Sequence, residues 1–255
     1  MGTALVTGAS SGLGRAFALE LARRGHDLVL VARDQARLET LAAELTARHG
    51  CTVEVLPADL AVREQVEQVA RRLADPQRPV DRLVNNVGFG NRRGFVGGDL
   101  TVEERALDVM VRAVMVLSHA AAGAMRERGH GAVLNVSSIA SFAVLGTYSA
   151  IKSWVTVFSE ALATELAGSG VTATAVCPGF VRTEFHDRAE MRTSALPQAG
   201  WLDAGRVARD ALDAVAAGRV VSVPSARYRT LAAALRVVPR PLLRRLSGTI
   251  TDRRR

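Results

Sequence analysis

The feature that most constrains this chain is a short apolar run, Thr3 to Thr7, that ends directly in Gly8-Ala9-Ser10-Ser11-Gly12-Leu13-Gly14 and then opens a helix. From Arg15 to Arg24 the apolar residues Phe17, Leu19 and Leu21 follow helical spacing, and Gly25 stops the pattern. A helix N-terminus offers free N–H groups and the positive end of its dipole to a phosphate, and glycines let the backbone approach. A tight turn that merely contains three glycines is the alternative. A strand before the loop and a helix after it favour the phosphate site.

The same alternation continues to the end of the chain. Apolar runs at Leu28–Ala32, Val53–Leu56, Val80–Val84, Val133–Val136, Val171–Val176 and Val220–Val223 read as further strands. Between them lie helical patterns from Arg33-Asp34 to Gly50, Val62 to Leu73, Thr101 to Arg128, Thr147 to Leu166 and Val207 to Ala217. Thr101 with Glu104 three residues on reads as a capping box for the longest of these. The strands are continuously apolar, which predicts an α/β fold: one doubly wound Rossmann-type domain over residues 1–255, with a parallel sheet of about seven strands and helices on both faces. The polar stretch from Pro178-Gly179 to about Gly200 is long for such a loop and reads as a lid.

Charge and cysteine content exclude other classes. The formal charge is +8, but arginines occur along the whole chain and aromatics are only 4%, so the stacking surface of a nucleic-acid binder is missing. Cys51 and Cys177 lack metal or redox spacing and read as buried thiols of a reducing compartment. The N-terminus shows no leader pattern, and no apolar run approaches the roughly 18 to 20 residues of a membrane span. A cytoplasmic protein is expected.

Tyr148-Ser149-Ala150-Ile151-Lys152 places a Tyr and a Lys one turn apart on a helix. The chain contains two tyrosines, and Lys152 is its only lysine. A compact ammonium with an adjustable pKa differs from the fixed guanidinium used at every other strongly basic position.

The glycine spacing, together with Asn85-Asn86-Val87-Gly88, Ser137-Ser138, Tyr148-x3-Lys152 and Pro178-Gly179 in this order, resembles the classical short-chain dehydrogenase/reductase family from about Thr3 to Val223. The resemblance implies hydride transfer on a carbonyl or alcohol, with Ser138, Tyr148 and Lys152 catalytic. It places a nicotinamide cofactor on Gly8, Ser10, Ser11, Gly12, Leu13 and Gly14, the adenine at Asp59 and Leu60, and the ribose side at Asn85, Val87 and Gly88. Pro178, Gly179, Val181 and Thr183 then meet the carboxamide end, and Tyr148 and Lys152 also touch the cofactor. At the tip of the second strand the small Ala32 stands where an NAD enzyme needs an acid, and Arg33 follows, so NADP(H) is expected. The alternative is a solvated Arg33, with Asp34 an acid one residue late.

A free Tyr is a usable acid but a poor base near neutrality, and a cation one turn away is expected to lower its pKa. Two departures from the family pattern stand out. The Ser138-to-Tyr148 interval is about three residues short, which makes Ser141 a rival to Ser138. Met110 also occupies the position of an Asn that supports a proton relay, and a thioether cannot donate a hydrogen bond. Asn91 or Ser141 are possible substitutes in that relay. A catalytically weak or silent NADP-binding regulator is therefore the alternative function.

Phe89, Phe142, Val144, Leu145, Phe185, His186, Met191 and Trp201 form a mostly apolar pocket set, suited to a hydrophobic carbonyl or alcohol such as a 3-oxoacyl thioester, a steroid-like ketone or a xenobiotic aldehyde. Family resemblance implies a homodimer or homotetramer through the long helices. The segment from Arg227 to Arg255 mixes leucines with arginines. It reads first as a terminal helix packed on its own subunit or a neighbour, and secondarily as a basic segment for a membrane surface or an acidic carrier.

Overall fold

The computed structural model describes residues 2–90, 94–183 and 200–252. Seven parallel strands form one sheet in the order β3-β2-β1-β4-β5-β6-β7. They are β1 (Thr3–Thr7), β2 (Asp27–Ala32), β3 (Val53–Pro57), β4 (Arg82–Asn85), β5 (Gly131–Val136), β6 (Val171–Val176) and β7 (Val221–Ser222). The helices that cover it are α1 (Gly12–Arg23), α2 (Gln35–His49), α3 (Arg63–Ala74), α4 (Leu100–Leu107), α5 (Ala113–Arg128), α6 (Gly146–Glu165), α7 (Ala204–Ala216), α8 (Ala226–Val237) and α9 (Arg240–Asp252).

Both sheet faces are buried, which is why the strands read as unbroken apolar runs. On one side Phe17, Leu21, Leu38 and Leu45 pack with Ala208 and Leu212 against Val6 and Leu30. On the other, Val66, Val69, Leu73, Leu117 and Met125 pack against Leu5, Val29 and Val133. Chain order reverses between β1 and β4, and the crevice at the carboxyl ends of these two strands is where an open α/β sheet takes its ligand.

The long helix predicted from Thr101 to Arg128 is interrupted. Asp108–Arg112 forms a π-helical turn between α4 and α5, with Met110 at its centre. Such bulges are frequent at functional sites. The cap also differs from the predicted box: Asp99, not Thr101, caps α4, accepting the Thr101 N–H at 2.9 Å. A carboxylate is the stronger acceptor, and it stands at the residue immediately before the helix. The span Leu100–Arg128 is long and apolar enough to cross a membrane, but half of its most apolar window is buried inside the fold, as in a core helix.

Candidate active site

Three elements converge at the β1/β4 crevice. The first is the glycine loop. Gly8 and Gly12 have φ of 64° and 54°, a region that favours glycine. A Cβ on Gly14 would lie 2.1 Å from the Gly8 carbonyl oxygen and 2.6 Å from Asn86 Nδ2, so the α1 backbone is held directly against the loop. Ser11 is the N-cap of α1 but makes no side-chain cap bond, and the first turn carries no acid. Its N–H groups and dipole are thus available to an anion, and the cradle suits a dinucleotide pyrophosphate. Thr183 closes the far side, 3.1 Å from where a Gly12 Cβ would stand.

The second element is the rim beyond β2 and β3. Arg33 is exposed, and its charge reaches Asp59. Asp34, the acid one residue late, is used structurally: it caps α2, accepting the Arg37 N–H at 3.0 Å, and Arg37 Nε lies 3.4 Å from it. Asp59 is partly buried, which opposes ionisation. The Ala61 N–H at 3.0 Å and the Arg105 guanidinium at 2.8 Å nevertheless hold its carboxyl below the usual range. Leu60 departs from its expected place at the adenine, because its side chain is 4% exposed and belongs to the core under α3.

Asn85 departs likewise. Its side chain turns into the sheet, 2% exposed, where Nδ2 donates to Ser118 Oγ at 3.1 Å and to Asn135 Oδ1 at 2.9 Å. The neighbour Asn86 faces the glycine loop: its N–H donates to Thr7 Oγ1 at 2.9 Å, and its Nδ2 lies 3.4 Å from the Thr7 carbonyl. Strand alternation sends consecutive side chains to opposite sides, so one of the two had to be structural. Val87 packs with Met110 and Ile151, and Gly88 is exposed beside them.

The third element joins the end of β5 to α6. Ser138 caps a 3-10 turn, Ile139–Phe142, and its hydroxyl is hydrogen-bonded to the Tyr148 phenol. Ser141 faces away: its hydroxyl lies 4.0 Å from Cys177 Sγ, and its carbonyl accepts from Ser153 at 2.6 Å. Of the two serines, Ser138 is the one bonded to Tyr148. Ser137, whose side chain points inward, fixes α6 by donating to the Lys152 carbonyl at 2.8 Å. Lys152 is 3% exposed, its Nζ donates to the Val136 carbonyl at 2.9 Å, and it lies 5.7 Å from the centre of the Tyr148 ring.

The electrostatics correct one expectation. Burial pushes Tyr148 up to about 12, with the Ser138 bond pulling the other way, whereas a lowered value was expected from the lysine. The same dry surroundings bring Lys152 down to about 8. Desolvation disfavours both charged forms and outweighs an attraction acting over this distance. Met110, 1% exposed, reaches the same spot: a Cβ on Gly88 would lie 3.3 Å from its Sδ and 3.4 Å from Lys152 Nζ. A non-donating thioether and the ammonium therefore both border Gly88.

Of the pocket set, Phe89 packs near Met110, Phe142 lies under Arg236, and Trp201 meets Phe180 edge-on at 6.0 Å. Val144 and Leu145 are half-buried between the 3-10 turn and α6. Phe185, His186, Met191 and Asn91 lie outside the described residues. The Pro178 carbonyl accepts from the Ile139 N–H at 2.9 Å, which ties the β6 exit to the serine turn, and Val181 pairs with Leu202. Sequence reasoning missed Tyr228, whose ring covers Gly179 and whose hydroxyl donates to the Gly200 carbonyl at 2.7 Å. Its distance along the chain from the motifs left no local signal.

Comparison with known proteins agrees with this arrangement. A family described as short chain dehydrogenase matches residues 2–193. An uncharacterized oxidoreductase of Staphylococcus saprophyticus is 32% identical over 71% of this chain and 78% of its own length. Among solved structures, a short-chain dehydrogenase from Sphingobium yanoikuyae in complex with NADPH is 36% identical, with a TM-score of 0.85 over 92% of this chain and 93% of its own. The bulky-bulky ketone specific alcohol dehydrogenase from Comamonas testosteroni is 31% identical, with a TM-score of 0.80 over 94% and 96%. A family member from Burkholderia phymatum in complex with NAD is 26% identical, with a TM-score of 0.80 over 91% and 92%. With its seven-stranded doubly wound sheet, its glycine cradle and its Ser-Tyr-Lys cluster, the chain belongs to the short-chain dehydrogenase/reductase family of oxidoreductases.

Proposed function

We propose that the protein is an NADP(H)-dependent reductase of hydrophobic ketones, reversible to the secondary alcohols. The observation that carries this is the convergence of Ser138, Tyr148 and Lys152 beside the glycine cradle. Gly8, Ser10 to Gly14, Asn86 and Thr183 would hold the phosphates and adjoining ribose, and Arg33 the 2′-phosphate, because Asp34 is occupied as a helix cap. Bound NADPH supplies the hydride.

The chain's own residues manage the proton and the geometry. Ser138 orients the substrate oxygen, and Tyr148 gives its proton to the oxygen as the alkoxide forms. A phenol with a pKa of about 12 is fully protonated at neutrality, so it serves as an acid more readily than as a base, which favours reduction. Lys152, charged below about pH 8, stabilises the phenolate that remains. The exposed Met115 and Val157, with the stacked Trp154 and Phe158, support pairing of subunits through α5 and α6.

The test is NADPH oxidation by purified protein over a panel of bulky ketones. Turnover on at least one ketone, with kcat reduced at least about 100-fold in Tyr148→Phe, is expected. Tight NADPH binding with no turnover on any ketone would instead establish the silent regulator.

A further inference from the structure

The formal charge of +8 has a single source. From Ala226 to Arg255 there are nine arginines and one acid, Asp252, whereas residues 1–225 carry 24 basic and 24 acidic side chains and are neutral. Arginines do occur along the whole chain, but up to Ser225 acids balance them. The terminal helix pair, α8 and α9, carries six of these arginines and the one acid, a net +5, and Arg253, Arg254 and Arg255 follow it in the sequence.

The structure shows how these two helices are mounted. Tyr228 and Ala232 on α8, and Leu243 and Ser247 on α9, are buried, each pair one turn apart on an inward stripe. The packed terminal helix favoured from sequence is thus present, but it accounts only for that stripe. The outer face carries Arg229, Arg240, Arg244 and Arg245, all exposed, and among the described residues none of them forms an ion pair. Set among them are exposed aliphatics: Val237 at 80%, Leu242 at 47% and Leu231 at 45%. Val237 stands at the corner between the helices, next to Pro239 and Pro241.

We propose that this helix pair docks the enzyme on a bilayer rich in anionic phospholipid, with the arginines at the headgroups and Val237 and Leu242 at the acyl boundary. Surface cations gain free energy near an anionic leaflet, and exposed aliphatics gain it by leaving water. A second copy of this chain is a poor occupant, because two such faces repel. Nucleic acid would leave Val237 and Leu242 unused, and the one aromatic on these two helices, Tyr228, is buried. Docking also sets the bilayer close to the catalytic cleft, since Arg236 lies 4.6 Å over the ring of Phe142 in the turn that Ser138 begins.

The experiment is co-sedimentation of the full chain with vesicles of phosphatidylcholine alone and of phosphatidylcholine with phosphatidylglycerol, at low and high salt. Binding to the anionic vesicles alone, released by salt, is expected. The triple variant Arg240→Gln/Arg244→Gln/Arg245→Gln should weaken it on the order of 100-fold. Val237→Asp should weaken binding at low salt while leaving circular dichroism and NADPH affinity unchanged. Equal sedimentation with both vesicle types, an unaffected triple variant, or binding to duplex DNA in preference to vesicles would overturn the proposal. These readouts are independent of turnover, so a failure here is distinguishable from a failure of the reductase reading.

Discussion

Replacing Lys152 with Met tests the physics of the site most directly. The ammonium is 3% exposed, and its pKa falls from the ordinary 10.5 to about 8 because burial disfavours the charge. That fall corresponds to a cost of about 3 kcal/mol for folding with the lysine charged. Below about pH 8 the amine is protonated in both folded and unfolded chains, and the full cost is present. As pH rises from about 8 towards 10.5, the folded form has already lost its proton and the unfolded form has not, so the cost fades.

Lys152→Met removes the charge but leaves the Val136 carbonyl without its donor, a pH-independent loss of about 1 to 3 kcal/mol. Near pH 7.5 the variant should then be as stable as the wild type or up to about 2 kcal/mol more stable, while losing ketone reduction. By pH 10 the balance should have moved in favour of the wild type by about 2 kcal/mol. Urea unfolding across this range, with a common m-value, measures the difference. A gap between the two proteins that stays constant from pH 7.5 to pH 10 would show that Lys152 is not desolvated, and the reasoning would fail.

Three further outcomes follow from the geometry. Ser138→Ala should lower kcat by about 100-fold, and Ser141→Ala by less than about threefold, in steady-state ketone reduction, since only Ser138 is bonded to Tyr148. Asn85→Ala should cost about 2 kcal/mol in denaturant unfolding, because it strands Ser118 and Asn135 in the core, with the KM for NADPH nearly unchanged; Asn86→Ala should do the reverse. Arg33→Asp should weaken NADPH binding at least tenfold more than NADH binding by calorimetry, and equal losses would refute Arg33 as the 2′-phosphate partner.

The sequence by itself determined the architecture. Continuous apolar runs can be satisfied only when a strand is covered on both faces, and the glycines of the first loop mark where the backbone must come close to itself and to an anion. The seven strands, the cradle and the Tyr-Lys pair are all local patterns, so all were legible. Boundaries shifted by a few residues, as with β4, expected over Val80 to Val84 and found at Arg82–Asn85, and with Asp99 taking the cap of α4 from Thr101.

What the tertiary structure decided depends on packing between distant segments. Which of Ser138 and Ser141 faces the tyrosine follows from how a shortened turn folds against Cys177. Which of Asn85 and Asn86 faces the loop follows from the pleat of β4 against its neighbours. The sign of the Tyr148 shift was misjudged from sequence because adjacency on a helix shows the cation but not the dryness around it, and burial acts on both groups at once. Tyr228 and the outward face of the two terminal helices belong to the same class: their roles depend on what lies under them, and only the folded chain shows that.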